Sequence, residues 1–283
     1  MKLAGAVTQG SGAINEDGWG YLGSADEVSA AWIFDGVTGI NGHNFLGGGT
    51  DAAWLVERAH KHLLSLAALH LSLREIIIRL VEALIADWSE VAKGLDLPEN
   101  YDPPAACLIL AKRYNGQWQA VRLGDSCLLA RTSGSGHTIL AASPNNAFDH
   151  WLATEAAKRR AEGMLDVKAL LAEFRPQLAE GRKLRNMPGG YSILEANLAA
   201  VAGAEYMVLG KPDMLLLCTD GYYRAVDYYA LFSDAGLLDA SLAAGGTSSV
   251  LRKIRAVEAA DPKCEKYPRF KPADDATAIA LQA

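Results

Sequence analysis

An apolar run beginning at Ala30 drives straight into a carboxylate: Trp32-Ile33-Phe34-Asp35-Gly36. That is the pattern of a buried strand delivering an acidic side chain to the end of a sheet, with Gly36 letting the backbone turn sharply there. A single Asp-Gly pair is a common turn signal. In this chain the arrangement recurs. Leu215-Leu216-Leu217-Cys218-Thr219 runs into Asp220-Gly221, and Leu123-Gly124-Asp125-Ser126 follows another strand-like stretch. Asp274-Asp275 precedes a last apolar run over 277–281, and Asn15-Glu16-Asp17 lies near the start. Acidic residues at strand ends, far apart in sequence, predict one shared site for hard cations.

The chain has 283 residues, half of them hydrophobic, enough for a sizeable core. Its net charge of -6 leaves no basic footprint for nucleic acid. The four cysteines, Cys107, Cys127, Cys218 and Cys264, form no C-x-x-C pair, so a zinc knuckle is not expected. Cys107, Cys127 and Cys218 lie in apolar runs and read as buried free thiols of a reducing compartment. The first residues lack a long apolar segment of the kind a signal peptide carries. The most apolar helical zone, over 63–86, is interrupted by Arg74, Glu75, Arg79 and Glu82, which argues against a membrane span. The expectation is a cytoplasmic protein without nucleic-acid or membrane partners.

Strands are expected over 3–8, 19–22 and 28–34. A glycine-rich segment over 39–49 leads to a helix over about 52–69, capped by Thr50 or Asp51. A second helix over about 72–93 carries Leu73, Ile77, Leu80, Leu84, Trp88 and Val91 on one stripe, the spacing of a core-facing surface. Strands over 105–114, 118–123, 126–131 and 137–141 follow after Pro103-Pro104, with Asn115-Gly116 as a hairpin turn and Ser133-Gly134-Ser135-Gly136 as a later one. Such short connections predict an antiparallel meander. Residues 145–205 differ. The stretch 154–180 is charged, alanine-rich and helix-prone, with Arg159, Arg160, Arg175, Arg182, Lys183 and Arg185 in or just after it, and Asn186-Met187-Pro188-Gly189-Gly190 is a turn. This insert reads either as a solvated helical face or as a mobile lid beside the site. A further strand over 214–219 and helices over 227–260, broken at Gly245-Gly246, complete the chain. The first and last acidic motifs must meet, so residues 1–283 read as one domain.

Aspartates without histidine or cysteine partners suit Mg²⁺ or Mn²⁺ rather than zinc. Two such ions about 4 Å apart bridge one hydroxide and polarise a phosphoryl oxygen. Asp35 is the natural bridging ligand, with the Gly36 carbonyl beside it. The reaction implied is hydrolysis of a phosphate ester with no serine or cysteine nucleophile; Cys218 reads as a strand residue.

Asn15-Glu16-Asp17, Phe34-Asp35-Gly36, Gly124-Asp125-Ser126, Thr219-Asp220-Gly221 and Asp274-Asp275-Ala276-Thr277 come in the order and rough spacing of the protein phosphatase 2C family. The chain resembles these metal-dependent Ser/Thr phosphatases, bacterial members in particular, over about residues 3–283. The resemblance implies an α+β fold, a four-layer α-β-β-α sandwich of two antiparallel sheets with helices on both outer sides. It implies that Asp35 bridges two ions and the Gly36 carbonyl binds one. It gives Asp220 and Asp274 to the other ion, and Glu16 and Asp17 to the surrounding waters. Asp125 resembles the ligand of a weaker third ion, and 145–205 the family's variable flap. A phosphoprotein is the implied substrate.

The chain departs from the family at two positions. Typical members carry a phosphate-gripping arginine four residues before the glutamate of the first motif; Gly12 stands there. Arginine suits that task because its planar fork donates two charge-assisted hydrogen bonds. Arg122, Arg185 and Arg224 are the candidates to replace it. Animal members carry a histidine two residues after the central aspartate; Val37 stands there, and His43 in the following loop is the candidate substitute. Three readings stay open: a phosphoprotein phosphatase, a phosphatase of a non-protein ester on the same scaffold, and a non-catalytic binding module with 159–185 as its contact surface.

Overall fold

The computed structural model describes residues 1–283 except 38, 41–43, 48, 100, 133–137 and 141–146. His43, the Ser133-Gly134-Ser135-Gly136 turn and the ends of the strand expected over 137–141 therefore lie outside the described residues.

Two five-stranded antiparallel sheets lie face to face. One has the order β1 (Lys2–Gln9), β10 (Ala276–Gln282), β9 (Met214–Cys218), β6 (Cys127–Arg131) and β7 (Thr138–Leu140). The other has the order β2 (Gly18–Ser24), β3 (Glu27–Val37), β4 (Ala105–Tyr114), β5 (Gln117–Leu123) and β8 (Glu205–Gly210). The central strands are apolar on both faces because both faces are covered. Along β3, Ala31 and Ile33 point into the layer between the sheets, where they meet Ile109, Leu215, Leu217 and Ile279. Ala30, Trp32 and Phe34 point the other way, against α1 (Asp51–Leu66) and α2 (Leu73–Ala92). In the sheet that contains β9 and β10, Leu216, Cys218 and Ala278 face α6 (Asp220–Asp227), α7 (Asp234–Leu242) and α8 (Gly246–Ala260). The period-2 alternation of strand side chains thus builds three apolar layers, the expected α-β-β-α sandwich.

Thr50 caps α1, accepting from the Ala53 amide at 3.1 Å. Ser72 and Glu75 form a reciprocal capping box at the start of α2. Leu73, Ile77, Leu80 and Leu84 are buried in the core, and Trp88 and Val91 pack at its edge. Asn115 and Gly116, both at positive φ, make the hairpin between β4 and β5.

One expectation is corrected, one is refined, and three elements are added. The strands after Pro104 are antiparallel, but they do not form one meander: β5 closes on β8 while β6 joins β9 in the opposite sheet. The chain changes sheet at Gly124 (φ 86°) and Asp125, a step as short as a hairpin. The charged stretch over 154–180 is two helices, α3 (Ala147–Ala161) and α4 (Val167–Arg182), parted near Gly163. They share a small core of Leu152, Ala156, Leu170 and Phe174. Finally, the edge strand β8, the short helix α5 (Ala199–Ala202) and the helix that begins at Asp220 carry no clear signal of their own. Among the described residues no helix is long and apolar enough to cross a membrane.

Candidate active site

Strand register brings the acidic motifs to one place. Gly18 pairs with Phe34, so Asp17 lies beside Asp35 at the end of the β2–β3 ladder. Cys127 pairs with Cys218, and the Thr219 amide bonds to the Thr277 carbonyl, so Asp125, Asp220 and Asp274 gather at the end of the other sheet. Cys107, which pairs with Asp35, donates from Sγ to Asp125 Oδ1 at 3.2 Å and ties the two sheets together.

The glycines of the two Asp-Gly motifs work by close approach. Gly36 continues β3 and makes no turn, which corrects its expected role. A Cβ on it would lie 2.5 Å from the Glu16 carbonyl oxygen. A Cβ on Gly221, inside α6, would lie 2.0 Å from the Asp275 carbonyl oxygen. Each glycine is where the backbone of another acidic motif packs against the strand or helix.

Glu16, Asp35, Gly36, Asp125, Asp220 and Asp274 line one cavity of about 1100 Å³. Asp17 is buried beside them, its Oδ2 accepting from Thr219 Oγ1 at 3.0 Å. The Thr219 hydroxyl oxygen also accepts from the Thr277 amide at 3.0 Å. Thr277 Oγ1 lies 2.7 Å from Thr8 Oγ1, which accepts from Asn15 Nδ2 at 2.7 Å. Asp275 braces the first motif: its carboxylate accepts from the Ser11 amide and hydroxyl at 2.7 and 2.9 Å and from the Glu16 amide at 2.8 Å.

The electrostatics follow from crowding. Burial pushes the Asp35 carboxyl well above the usual range, and Asp17, Asp220, Asp125 and Asp274 push it further. Burial also raises Asp17, against the opposing pull of the nearby Thr277 and Thr219 hydroxyls. Burial and then Asp274 raise Asp220, with Arg224 opposing. Asp274 is the exception. Burial raises it too, but Lys271 and Arg224 outweigh that and hold it low. Arg224 Nη2 donates to Asp274 Oδ2 at 2.7 Å and stands 3.8 Å from Asp220; Lys271 Nζ donates to Asp274 Oδ1 at 2.5 Å.

Such a cluster suits a divalent cation, which relieves the mutual repulsion of the carboxylates. Asp17 Oδ1 points the same way, as a buried oxygen with no hydrogen-bond partner among the described residues. Among those residues no three acidic, histidine or cysteine side chains close on a single point by themselves. Mg²⁺ does not require that, since it takes one or two carboxylates directly and keeps several waters. The donor set therefore fits this ion in kind.

Of the arginines considered for phosphate capture, Arg224 lines the cavity next to Asp220 and Asp274. Arg122 lines it too, but is paired with Glu205 at 2.6 Å. Arg185 is not among the residues that line it, and its Nη1 is paired with Asp102 at 3.0 Å and Glu195 at 3.4 Å. Val37 is part of the cavity wall. Sequence reasoning passed over Thr219, Thr277 and Asp275, which hold the carboxylates, and Lys271. The first three stood in the quoted motifs as bystanders; their side-chain partners lie 58 to 269 residues away. Asp149 from α3 and Asp227 from α6 also face the cavity, with much of their surface open to solvent.

The sequence matches the profile of the protein phosphatase 2C family over residues 4–253. No curated protein matches it significantly. Among solved structures, the serine/threonine phosphatase PstP/Ppp of Mycobacterium tuberculosis superposes with a TM-score of 0.55 at 14% identity, over 98% of this chain and 97% of that one. The catalytic domain of PstP in complex with two manganese ions gives a TM-score of 0.52 at 14% identity, over 98% and 96%. The Ser-Thr phosphatase MsPP of Mycobacterium smegmatis, in complex with cacodylate, gives 0.54 at 15% identity, over 100% and 99%. At these identities the likeness is one of fold.

Proposed function

Because the chain belongs to the protein phosphatase 2C family of metal-dependent serine/threonine phosphatases, we propose that it hydrolyses phosphoserine and phosphothreonine side chains of proteins at the floor of the acidic cavity. The observation that carries this reading is the convergence of Asp17, Asp35, Asp125, Asp220 and Asp274, from five separate segments, on one crowded site. Asp35 would lie between two Mg²⁺ or Mn²⁺ ions, with the Gly36 carbonyl on one and Asp220 and Asp274 on the other. Glu16 and Asp17 would hold the surrounding waters, and Asp125 a weaker third ion. Bound there, the ions supply the activated water and polarise the phosphoryl oxygen.

The chain's own contribution is to hold this set in place. Thr219 fixes Asp17 and Asp275 fixes Glu16, while Arg224 and Lys271 orient Asp274. Of the three candidate arginines, Arg224 is best placed to face an incoming phosphate. Burial pushes the Cys107, Cys127 and Cys218 thiols up, so no thiolate competes as nucleophile at neutral pH. The four cysteines are free and buried, which agrees with a cytoplasmic setting. The whole chain acts as one domain, and the insert expected over about 145–205, described from residue 147 on, serves as a helical flap beside the cavity.

The test is phosphate release from a phosphothreonine peptide with and without Mn²⁺, beside Asp220→Ala. Manganese-stimulated release lost in the variant is expected. Absence of release, with Mn²⁺ binding intact by calorimetry, would instead favour a non-catalytic module.

A further inference from the structure

Three exposed large apolar side chains occur together at the cavity: Leu184 (52% exposed), Met187 (57%) and Tyr191 (43%). They sit on the turn that follows α4. An apolar side chain on a frayed loop needs no explanation, but this turn is fixed throughout its length. The Asn186 amide donates to the Tyr191 carbonyl at 2.7 Å, and the Tyr191 amide donates to the Leu184 carbonyl at 3.2 Å. Asn186 Oδ1 accepts from the Ile193 amide at 2.9 Å, and its Nδ2 donates to Glu195 at 3.2 Å. Buried Arg185 ties the turn to Asp102, to the Pro103 carbonyl at 3.2 Å and to Glu195. Arg182, one turn of helix earlier, is also paired with Asp102.

A rigid turn that presents three large apolar groups to water is a preorganised contact surface, because the cost of ordering it is met before anything binds. The surface continues inward. Leu152 from α3 and Val167, Leu171 and Leu178 from α4 wall the same cavity whose floor holds Asp35 and Asp220. Anything other than substrate seated on this rim would obstruct the cavity.

We propose that Leu184, Met187 and Tyr191 dock a large apolar side chain of the phosphoprotein, close in sequence to the phosphorylated residue. The proposal rests on the phosphatase reading above and names its substrate class: phosphosites flanked by bulky apolar residues.

Two phosphothreonine peptides, alike except for leucine or serine flanking the phosphoresidue, test this. The wild type should turn over the leucine peptide with a kcat/KM about tenfold higher, the scale of one apolar contact. The combined variant Leu184→Ser, Met187→Ser, Tyr191→Ser should lose that preference and keep its rate on free O-phosphothreonine. All three side chains are exposed, so folding is not at stake; Met187→Ser alone should lose part of the preference. Matching phosphonate peptides, which resist hydrolysis, read docking separately by calorimetry. Selective binding without turnover would uphold the rim and count against the phosphatase reading. Turnover without selectivity, or selectivity that survives the combined variant, would overturn the rim.

Discussion

Thr219 Oγ1 donates to Asp17 Oδ2 at 3.0 Å across 202 residues of chain, joining the end of one sheet to the start of the other. Both residues are buried. Replacing the hydroxyl by a methyl in Thr219→Val leaves a buried carboxylate oxygen without its donor and breaks the link to the Thr277 amide as well. Hydrogen bonds to charged groups contribute about 1.5–3 kcal/mol, and an unsatisfied buried partner costs a similar amount. The expected outcome is a loss of about 2 kcal/mol in urea unfolding, together with weaker Mn²⁺ binding by calorimetry. Stability and binding both unchanged would show that Thr219 does not hold Asp17.

Gly36→Ala tests the close approach of the first two acidic motifs. The added Cβ would meet the Glu16 carbonyl oxygen at 2.5 Å and the Glu16 Cβ at 2.8 Å, contacts that only a backbone shift can relieve. Overpacking of this kind costs about 1–3 kcal/mol. Because the displaced segment carries Glu16 and Asp17, Mn²⁺ affinity should fall with stability. Gly12→Ala is the control, since a Cβ there meets nothing within 4 Å. Equal stability of the two variants in urea would remove the steric argument.

How much of this was legible in advance depended on the range of each interaction. The caps at Thr50 and Ser72 and the stripe from Leu73 to Leu84 are local, and the sequence shows them. The alternation Ala30, Trp32, Phe34 against Ala31, Ile33 makes β3 a strand covered on both faces. The carboxylates were readable because each ends or precedes an apolar run. The path at Gly124 was not, because a hairpin and a crossing to the opposite sheet need equally few residues. Edge strand β8 was missed because it presents Val208 to solvent, 64% exposed, and draws its ladder from distant β5. The pairing of Arg224 with Asp274 spans 50 residues and has no local trace.

Metal-free protein should lose stability as pH rises. Burial first, and then neighbouring carboxylates, hold the carboxyls of Asp17, Asp35 and Asp220 above their usual values. Between about pH 4, where these groups titrate in the unfolded chain, and their higher folded values, the native state binds more protons than the unfolded state. Stability therefore falls with rising pH across that window. Asp274, held low, contributes the opposite sign, but its share is lost only as pH falls below the usual carboxylate range. The urea midpoint of chelator-treated protein should decrease as pH rises above the usual carboxylate range toward the raised folded values. Mn²⁺ should flatten or reverse the trend, because metal binding favours ionised ligands. A midpoint that rises with pH without metal would contradict the crowding of these carboxylates.

Gly12 lies next to Ser11, whose amide and hydroxyl are fastened to Asp275 and thereby to the acidic site. A side chain at position 12 has open space around its Cβ. An arginine there would start from an anchored backbone beside the first acidic motif, with its guanidinium free for phosphate. Arg224, by contrast, already gives Nη2 to Asp274. If phosphate capture is the weak step in this chain, Gly12→Arg should lower KM for a phosphothreonine peptide with little change in kcat. Charge-assisted hydrogen bonds of about 1.5–3 kcal/mol set the scale at roughly tenfold to a hundredfold. Combining it with Arg224→Gln separates the two arginines. If Arg224 alone holds the phosphate in the wild type, Arg224→Gln raises KM and Gly12→Arg restores it. If Gly12→Arg leaves KM unchanged in both backgrounds, phosphate is gripped elsewhere in the cavity.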